Sequence, residues 1–268
     1  MASRIEQAFA RIRAERRPGL VTYVTAGDPD LPRSAEIVLA LDRAGADVIE
    51  VGAPFSDPVA DGPVIQRATE RALAAGGSLR ASLGLIEQVR ARVSAPIVVF
   101  SYANPILRLG VEEFARRAAG AGVDGVLVLD LPIEEAGSFR ETLAASGLDM
   151  VFLLSPTTTD SRIRKAAELG RGFLYGISRL GVTGARDRVA PGAAAMVQRI
   201  RSQTSLPIAL GFGISRPEHV AEVGGFADAA VVGSALVSLI AEASGTPALI
   251  DRVENYVRWL KGADRARE

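Results

Sequence analysis

Apolar residues along this chain gather into short runs of five or six, separated by longer stretches of helical periodicity. The short runs are rich in Val, Ile, Leu and aromatic residues, the composition of buried strands. They are LVTYVT (20–25), DVIEV (47–51), IVVFS (97–101), GVLVLD (125–130), MVFLL (150–154), FLYGI (173–177), IALGF (208–212) and AAVVG (229–233). Between them lie amphipathic stretches such as SAEIVLALDRAGA, SLRASLGLIEQVRARVS, VEEFARRAAGAG and EEAGSFRETLAASG, several ending in the Gly that favours a helix C-cap. No Pro/Ser-rich linker divides the 268 residues. Eight strands alternating with helices predict an α/β fold, a closed parallel (βα)8 barrel in one domain over residues 1–268. A doubly wound open sheet is the alternative; the count of eight and the absence of an early GxGxxG favour the barrel.

In such a barrel, chemistry belongs where strands hand over to the loops before their helices. Side chains alternate within DVIEV, so Val48 and Glu50 share one face while Ile49 and Val51 share the other. If the β-branched pair packs against helices, Glu50 points into the barrel mouth; an ion pair with an Arg is the plain structural alternative. The loop that follows, GAPFSDPVADGP, carries three prolines and a second carboxylate, Asp61, eleven residues after the first. Locally, Asp61 reads as a turn former in an Asp-Gly pair and Asp57 as an Asp-Pro turn residue. The functional reading sets Asp61 across a ligand from Glu50.

Two further segments sit at expected strand ends. GFGIS (211–215) and VVGSALV (231–237) supply Gly and Ser where helix N-termini expose backbone N–H groups to an anion. SRLGVTGARDRVAPG (178–192) reads either as an ordinary surface loop or as a lid with Thr183 reaching the site. His219 reads as structural, and Tyr256 and Trp259 as packing of a last helix.

Composition then removes mechanisms. The chain has one His, no Cys and two lysines, Lys165 and Lys261, neither near a strand end. Schiff-base chemistry needs a pocket lysine, and a histidine-based metal centre needs several ligands. Acid–base work therefore falls to Asp, Glu or Tyr. Net charge is zero with no basic tract, so nucleic acid is not an expected partner. No apolar run approaches the ~20 residues of a membrane span, and the N-terminus lacks a signal-peptide core. A cytoplasmic protein is the expectation. From the residues alone, a carboxylate acid–base lyase or isomerase acting on a phosphorylated, partly apolar substrate fits.

The segments YVTAGDPD, IEVGAPFSDPVADGPVIQRA, GVTG, GFGIS and VVGSALV, in this order, resemble the tryptophan synthase α subunit family nearly end to end. The resemblance implies a TIM barrel with an added N-terminal helix and long βα loops. It implies retro-aldol cleavage of indole-3-glycerol phosphate to indole and glyceraldehyde 3-phosphate, with no cofactor. Glu50 would be the general acid–base, and Asp61 would stabilise positive charge on the indole nitrogen. Phosphate would rest on Gly184, Gly213, Gly233 and Ser234. The indole ring would lie among Tyr23, Phe100, Leu127, Leu153, Tyr175, Phe212 and Val231, with Thr183 ordering the lid. Asp57, Pro58 and Asn104 would face a pyridoxal-phosphate β subunit in an α2β2 assembly. Ala53 stands where the family more often has a larger aliphatic side chain, and the residues around GVTG are more basic than usual.

Other readings keep part of this picture: a free-standing indole-releasing lyase of the same family, or a non-catalytic regulatory subunit. A related barrel that forms indole-glycerol phosphate resembles a lysine-dependent design, which this chain does not supply.

Overall fold

The computed structural model describes residues 2–177, 192–211 and 213–262. Helix α1 (Arg4–Ala14) leads into β1 (Gly19–Thr25), α2 (Leu31–Arg43), β2 (Val48–Gly52), α3 (Pro63–Ala74), α4 (Leu79–Arg90) and β3 (Ile97–Ser101). There follow α5 (Ala103–Leu109), α6 (Val111–Ala121), β4 (Gly125–Val128), α7 (Ala136–Ala145), β5 (Asp149–Leu154), α8 (Asp160–Leu169) and β6 (Leu174–Ile177). The chain ends with α9 (Ala193–Arg201), β7 (Ile208–Gly211), α10 (Pro217–Gly224), β8 (Ala229–Val232), α11 (Ser234–Ala243) and α12 (Leu249–Leu260).

All eight expected strands form, with ends shifted by at most two residues. Every neighbouring pair is parallel, and β1 pairs with both β2 and β8, so the sheet closes on itself. Closure rules out the open-sheet alternative. Strand alternation divides the core in two. Leu20, Ile49, Val51, Ile97, Val99 and Val126 point outward and pack under the helices. Val21, Val48, Val98, Leu127 and Val151 point inward and fill the barrel.

The N-terminal end of the barrel is plugged by α1. Its Ser3 and Glu6 form a reciprocal capping box, and Ile5, Phe9 and Ile12 insert into the inner core. The Phe9 and Phe173 rings meet at 5.4 Å, and a Cβ at Gly125 would stand 2.8 Å from Ile5 Cδ1. Burying these three α1 side chains contributes about 1.5–3 kcal/mol each.

Three aspartates fasten the same end by one repeated device. Asp47, Asp124 and Asp228 each immediately precede a strand and accept a backbone N–H from the first or second residue of the strand before it. The acceptances are from Leu20 at 2.9 Å, Ile97 at 2.8 Å and Ile208 at 2.8 Å. Each also meets an arginine: Arg17 at 2.6 Å, Arg90 at 3.1 Å and Arg201 at 2.5 Å. With that end sealed and pinned, the opposite mouth is left for the loops after the strands.

Among the described residues, no helix is long and apolar enough to cross a membrane. No group of three or more His, Cys, Asp or Glu among them is placed to hold a metal ion.

Candidate active site

Glu50 lies at the centre of β2, in register with Tyr23 on β1 and Val98 on β3. Its neighbours Ile49 and Val51 belong to the outer core, so alternation turns Glu50 inward. It is completely buried, and neither carboxylate oxygen has a hydrogen-bond partner among the described residues. No arginine compensates it there, which removes the ion-pair alternative. Burial pushes its pKa up to about 8. A carboxyl in this state holds its proton at neutral pH and can donate it.

Asp61 arrives from the loop between β2 and α3, one residue before Gly62, the N-cap of α3. The loop is fastened there by its own bonds. Asp61 N–H donates to Pro58 O at 3.1 Å, and Gln66 Nε2 donates to Asp61 O at 2.9 Å. Tyr102, one residue past β3, donates its hydroxyl to Asp61 Oδ2 at 3.1 Å and accepts the Ala60 N–H at 3.0 Å. Asp61 is thus more than a turn residue; its side chain is buried and held by a phenol 41 residues away. Burial raises its pKa to about 6, with the Tyr102 bond opposing the rise. Near neutral pH the two acids differ in charge: Glu50 is protonated and Asp61 ionised.

Tyr23 is oriented by a close fit. A Cβ at Gly52 would lie 2.2 Å from the Tyr23 hydroxyl, so only glycine two residues beyond Glu50 admits the ring. Tyr23 meets Phe100 edge-on at 5.2 Å, and its hydroxyl stands 3.5 Å from Thr25 Oγ1. Burial, then the charges of Asp61 and Glu50, keep this phenol protonated. Tyr175 is raised likewise by burial and then by Glu50.

A cavity of about 160 Å³ opens at the mouth. Asp61, Phe100, Leu153, Tyr175 and Val231 line it. Gly213, Gly233 and Ser234 line it as well, the latter two at the N-terminus of α11, where unpaired N–H groups and the helix dipole favour an anion. An apolar wall beside an anion-favouring helix end suits a ligand that is aromatic at one end and phosphorylated at the other.

Comparison with known proteins decides the family. The family model described as "Tryptophan synthase alpha chain" matches residues 9–264. The tryptophan synthase alpha chain of Carboxydothermus hydrogenoformans is 50% identical over 266 residues, covering 99% of this chain and 95% of that one. That of Geotalea daltonii is 50% identical over 242 residues, 90% of this chain and 92% of its own. The chain belongs to the tryptophan synthase alpha chain family. Solved structures agree: the alpha subunit from Legionella pneumophila superposes with a TM-score of 0.91 at 35% identity, covering 99% of this chain and all of the other. A Mycobacterium tuberculosis tryptophan synthase chain gives 0.90 at 37% identity, with 98% of each chain covered.

Two residues expected around the indole ring, Tyr23 and Leu127, are not among those that line the cavity. Leu127 does not line the cavity; it is fully buried in the inner core below it. Leu129, two residues further along the same face, lines the cavity instead, as do Ile177 and Ile214. Depth along a tilted barrel strand decides this, and alternation alone does not supply it. Thr183, Gly184 and Phe212 lie outside the described residues. Asp57 and Asn104 are exposed and Pro58 partly so. Around them stand three large exposed apolar side chains, Val59, Leu73 and Leu107, and Ala53 is buried in the outer core. Tyr102, which holds Asp61, is a further residue that sequence reasoning missed; a tyrosine just past a strand end was its available signal.

Proposed function

We infer that this chain performs the α reaction of tryptophan synthase, retro-aldol cleavage of indole-3-glycerol phosphate to indole and glyceraldehyde 3-phosphate. The observation that carries the reading is the pair of buried carboxylates, Glu50 unpartnered inside the barrel among the described residues and Asp61 held by Tyr102 on the loop above it. Glu50, protonated, donates its proton to indole C3 while ionised Asp61 stabilises the positive charge that develops on the ring nitrogen. Glu50, now a carboxylate, takes the proton of the adjacent glycerol hydroxyl. The carbon–carbon bond to C3 breaks, its electrons restore the neutral indole, and the hydroxyl carbon becomes the aldehyde of glyceraldehyde 3-phosphate. Protons balance, and Glu50 ends as it began. Gly213, Gly233 and Ser234, with Gly184, hold the phosphate. Tyr23, Phe100, Leu153, Tyr175 and Val231, with Phe212, hold the indole, and Thr183 orders the lid.

We further take residues 1–268 as one domain that works with a β subunit in an α2β2 assembly. The exposed apolar side chains beside Asp57, Pro58 and Asn104 support that partner face. The proposal includes a cytoplasmic location, because a phosphorylated intermediate does not cross membranes unaided. The test is indole release from indole-3-glycerol phosphate by this chain, alone and with a tryptophan synthase β subunit. Slow release that rises with the partner is the expected result. Fast release indifferent to the partner means a free-standing lyase, and no release in either case refutes the function.

A further inference from the structure

Ser215 lies two residues beyond Gly213, which lines the cavity at a backbone φ of +82°. Ile214 lines it too, so this short segment between β7 and α10 forms part of the cavity wall. A glycine at positive φ has other conformations open to it, and something must select this one. Among the described residues, two side chains hydrogen-bond the Ser215 backbone. His219, the chain's single histidine, is buried in α10 and accepts the Ser215 N–H on Nδ1 at 3.3 Å. Tyr256, on α12 and 41 residues away in sequence, donates its hydroxyl to Ser215 O at 3.0 Å. The peptide groups on both sides of Ser215 are therefore held, one from the helix the segment enters and one from the last helix of the fold.

We propose that His219 and Tyr256 are positioning residues for the phosphate end of the site, clamping Ser215 so that the backbone at Gly213 is preset to receive the anion. The proposal rests on the reading of Gly213, Gly233 and Ser234 as the phosphate site. It assigns function to residues whose sequence context suggested only packing. The chemistry is specific about what position 219 must supply. Nδ1 has to offer a lone pair to the Ser215 N–H. An asparagine amide oxygen can occupy nearly the same place; an alanine leaves the Ser215 N–H to water and the segment to its other conformations.

The experiment compares the wild-type chain with His219→Ala, His219→Asn, Tyr256→Phe and Ser234→Ala, each assayed with the β subunit present. Four quantities are read: KM and kcat for indole-3-glycerol phosphate, inhibition by glycerol 3-phosphate, and binding of indole. Losing one positioning hydrogen bond should raise KM and weaken glycerol 3-phosphate roughly 3–10-fold. Indole binding should stay level and kcat should change less than about twofold. His219→Asn should recover most of the loss, and Tyr256→Phe should move the same quantities in the same direction. A merely structural role would lower stability or move all four quantities together, and that result overturns the clamp. So does a His219→Asn variant no better than His219→Ala. Ser234→Ala separates the two layers. If it weakens glycerol 3-phosphate while His219→Ala and Tyr256→Phe do not, only the clamp falls; if it has no effect, the phosphate reading falls and takes the clamp with it.

Discussion

Replacing Glu50 by Gln keeps the shape of the side chain and removes its ability to ionise. In the folded chain Glu50 is completely buried without a partner among the described residues, and its pKa rises from 4.5 to about 8. At about 1.36 kcal/mol per pH unit, that difference corresponds to about 5 kcal/mol once both folded and unfolded chains are ionised. The sign follows from proton counting. Between pH 4.5 and about 8, the folded chain holds a proton that the unfolded chain has released. Stability therefore falls as pH rises through that window. The Glu50→Gln variant lacks this dependence, so its advantage over wild type should be near zero at pH 4.5, about 3 kcal/mol at pH 7 and up to about 5 kcal/mol above pH 8. Urea unfolding followed by circular dichroism at several pH values reads the difference directly. The same variant should lose cleavage by ~10²–10⁴-fold, the range for a general acid–base group. A stability gap that stays constant with pH would refute the burial argument. A stabilised variant that still turns over normally would refute the role of Glu50 in the chemistry.

Three other substitutions test neighbouring parts of the account. Tyr102→Phe removes the donor to Asp61; the acid limb of the pH–rate profile should move upward and kcat/KM at neutral pH should fall roughly tenfold, since hydrogen bonds to charged groups are the stronger ones. Gly52→Ala places a Cβ 2.2 Å from the Tyr23 hydroxyl and 2.7 Å from its ring; denaturant unfolding should show a loss of about 1–3 kcal/mol, with only partial recovery in a Tyr23→Phe background. Asp47→Asn strips a buried acceptor from Arg17, Lys261 and the Leu20 N–H, and should cost about 3–5 kcal/mol at pH 7. Despite burial, its cationic partners hold the Asp47 pKa below the ordinary value. The gap to wild type should therefore narrow as pH falls through that depressed pKa.

The inward orientation of Glu50 was legible because it depends only on alternation within five residues, and the burial of Ile49 and Val51 beneath helices agrees with it. The barrel was legible for the same reason, repeated eight times. Asp61 was only half legible: Asp-Gly reads as a turn, and what distinguishes it, the Tyr102 hydroxyl, comes from just past the end of β3. Leu127 and Leu129 share a face, and no local pattern tells which of them reaches the cavity, because that depends on strand tilt around the whole barrel. The aspartates at 47, 124 and 228 are a pattern visible in the sequence, one residue before three strands, whose meaning appears only when the adjacent strand supplies its N–H. His219 could not be read from its helix, since its partner Ser215 is set by the path of the preceding loop.

The measurement closest to the central claim is the pH dependence of kcat/KM for indole-3-glycerol phosphate cleavage, in wild type and in Glu50→Gln. The account requires Asp61 ionised and Glu50 protonated. It therefore predicts a bell with an acid limb near the Asp61 pKa of about 6 and a basic limb near the Glu50 pKa of about 8. The residual activity of the variant should lose the basic limb and keep the acid one. A wild-type profile that stays level or keeps rising through pH 8, or a basic limb that survives in Glu50→Gln, would contradict the assignment of Glu50 as the group that gives and retakes the proton.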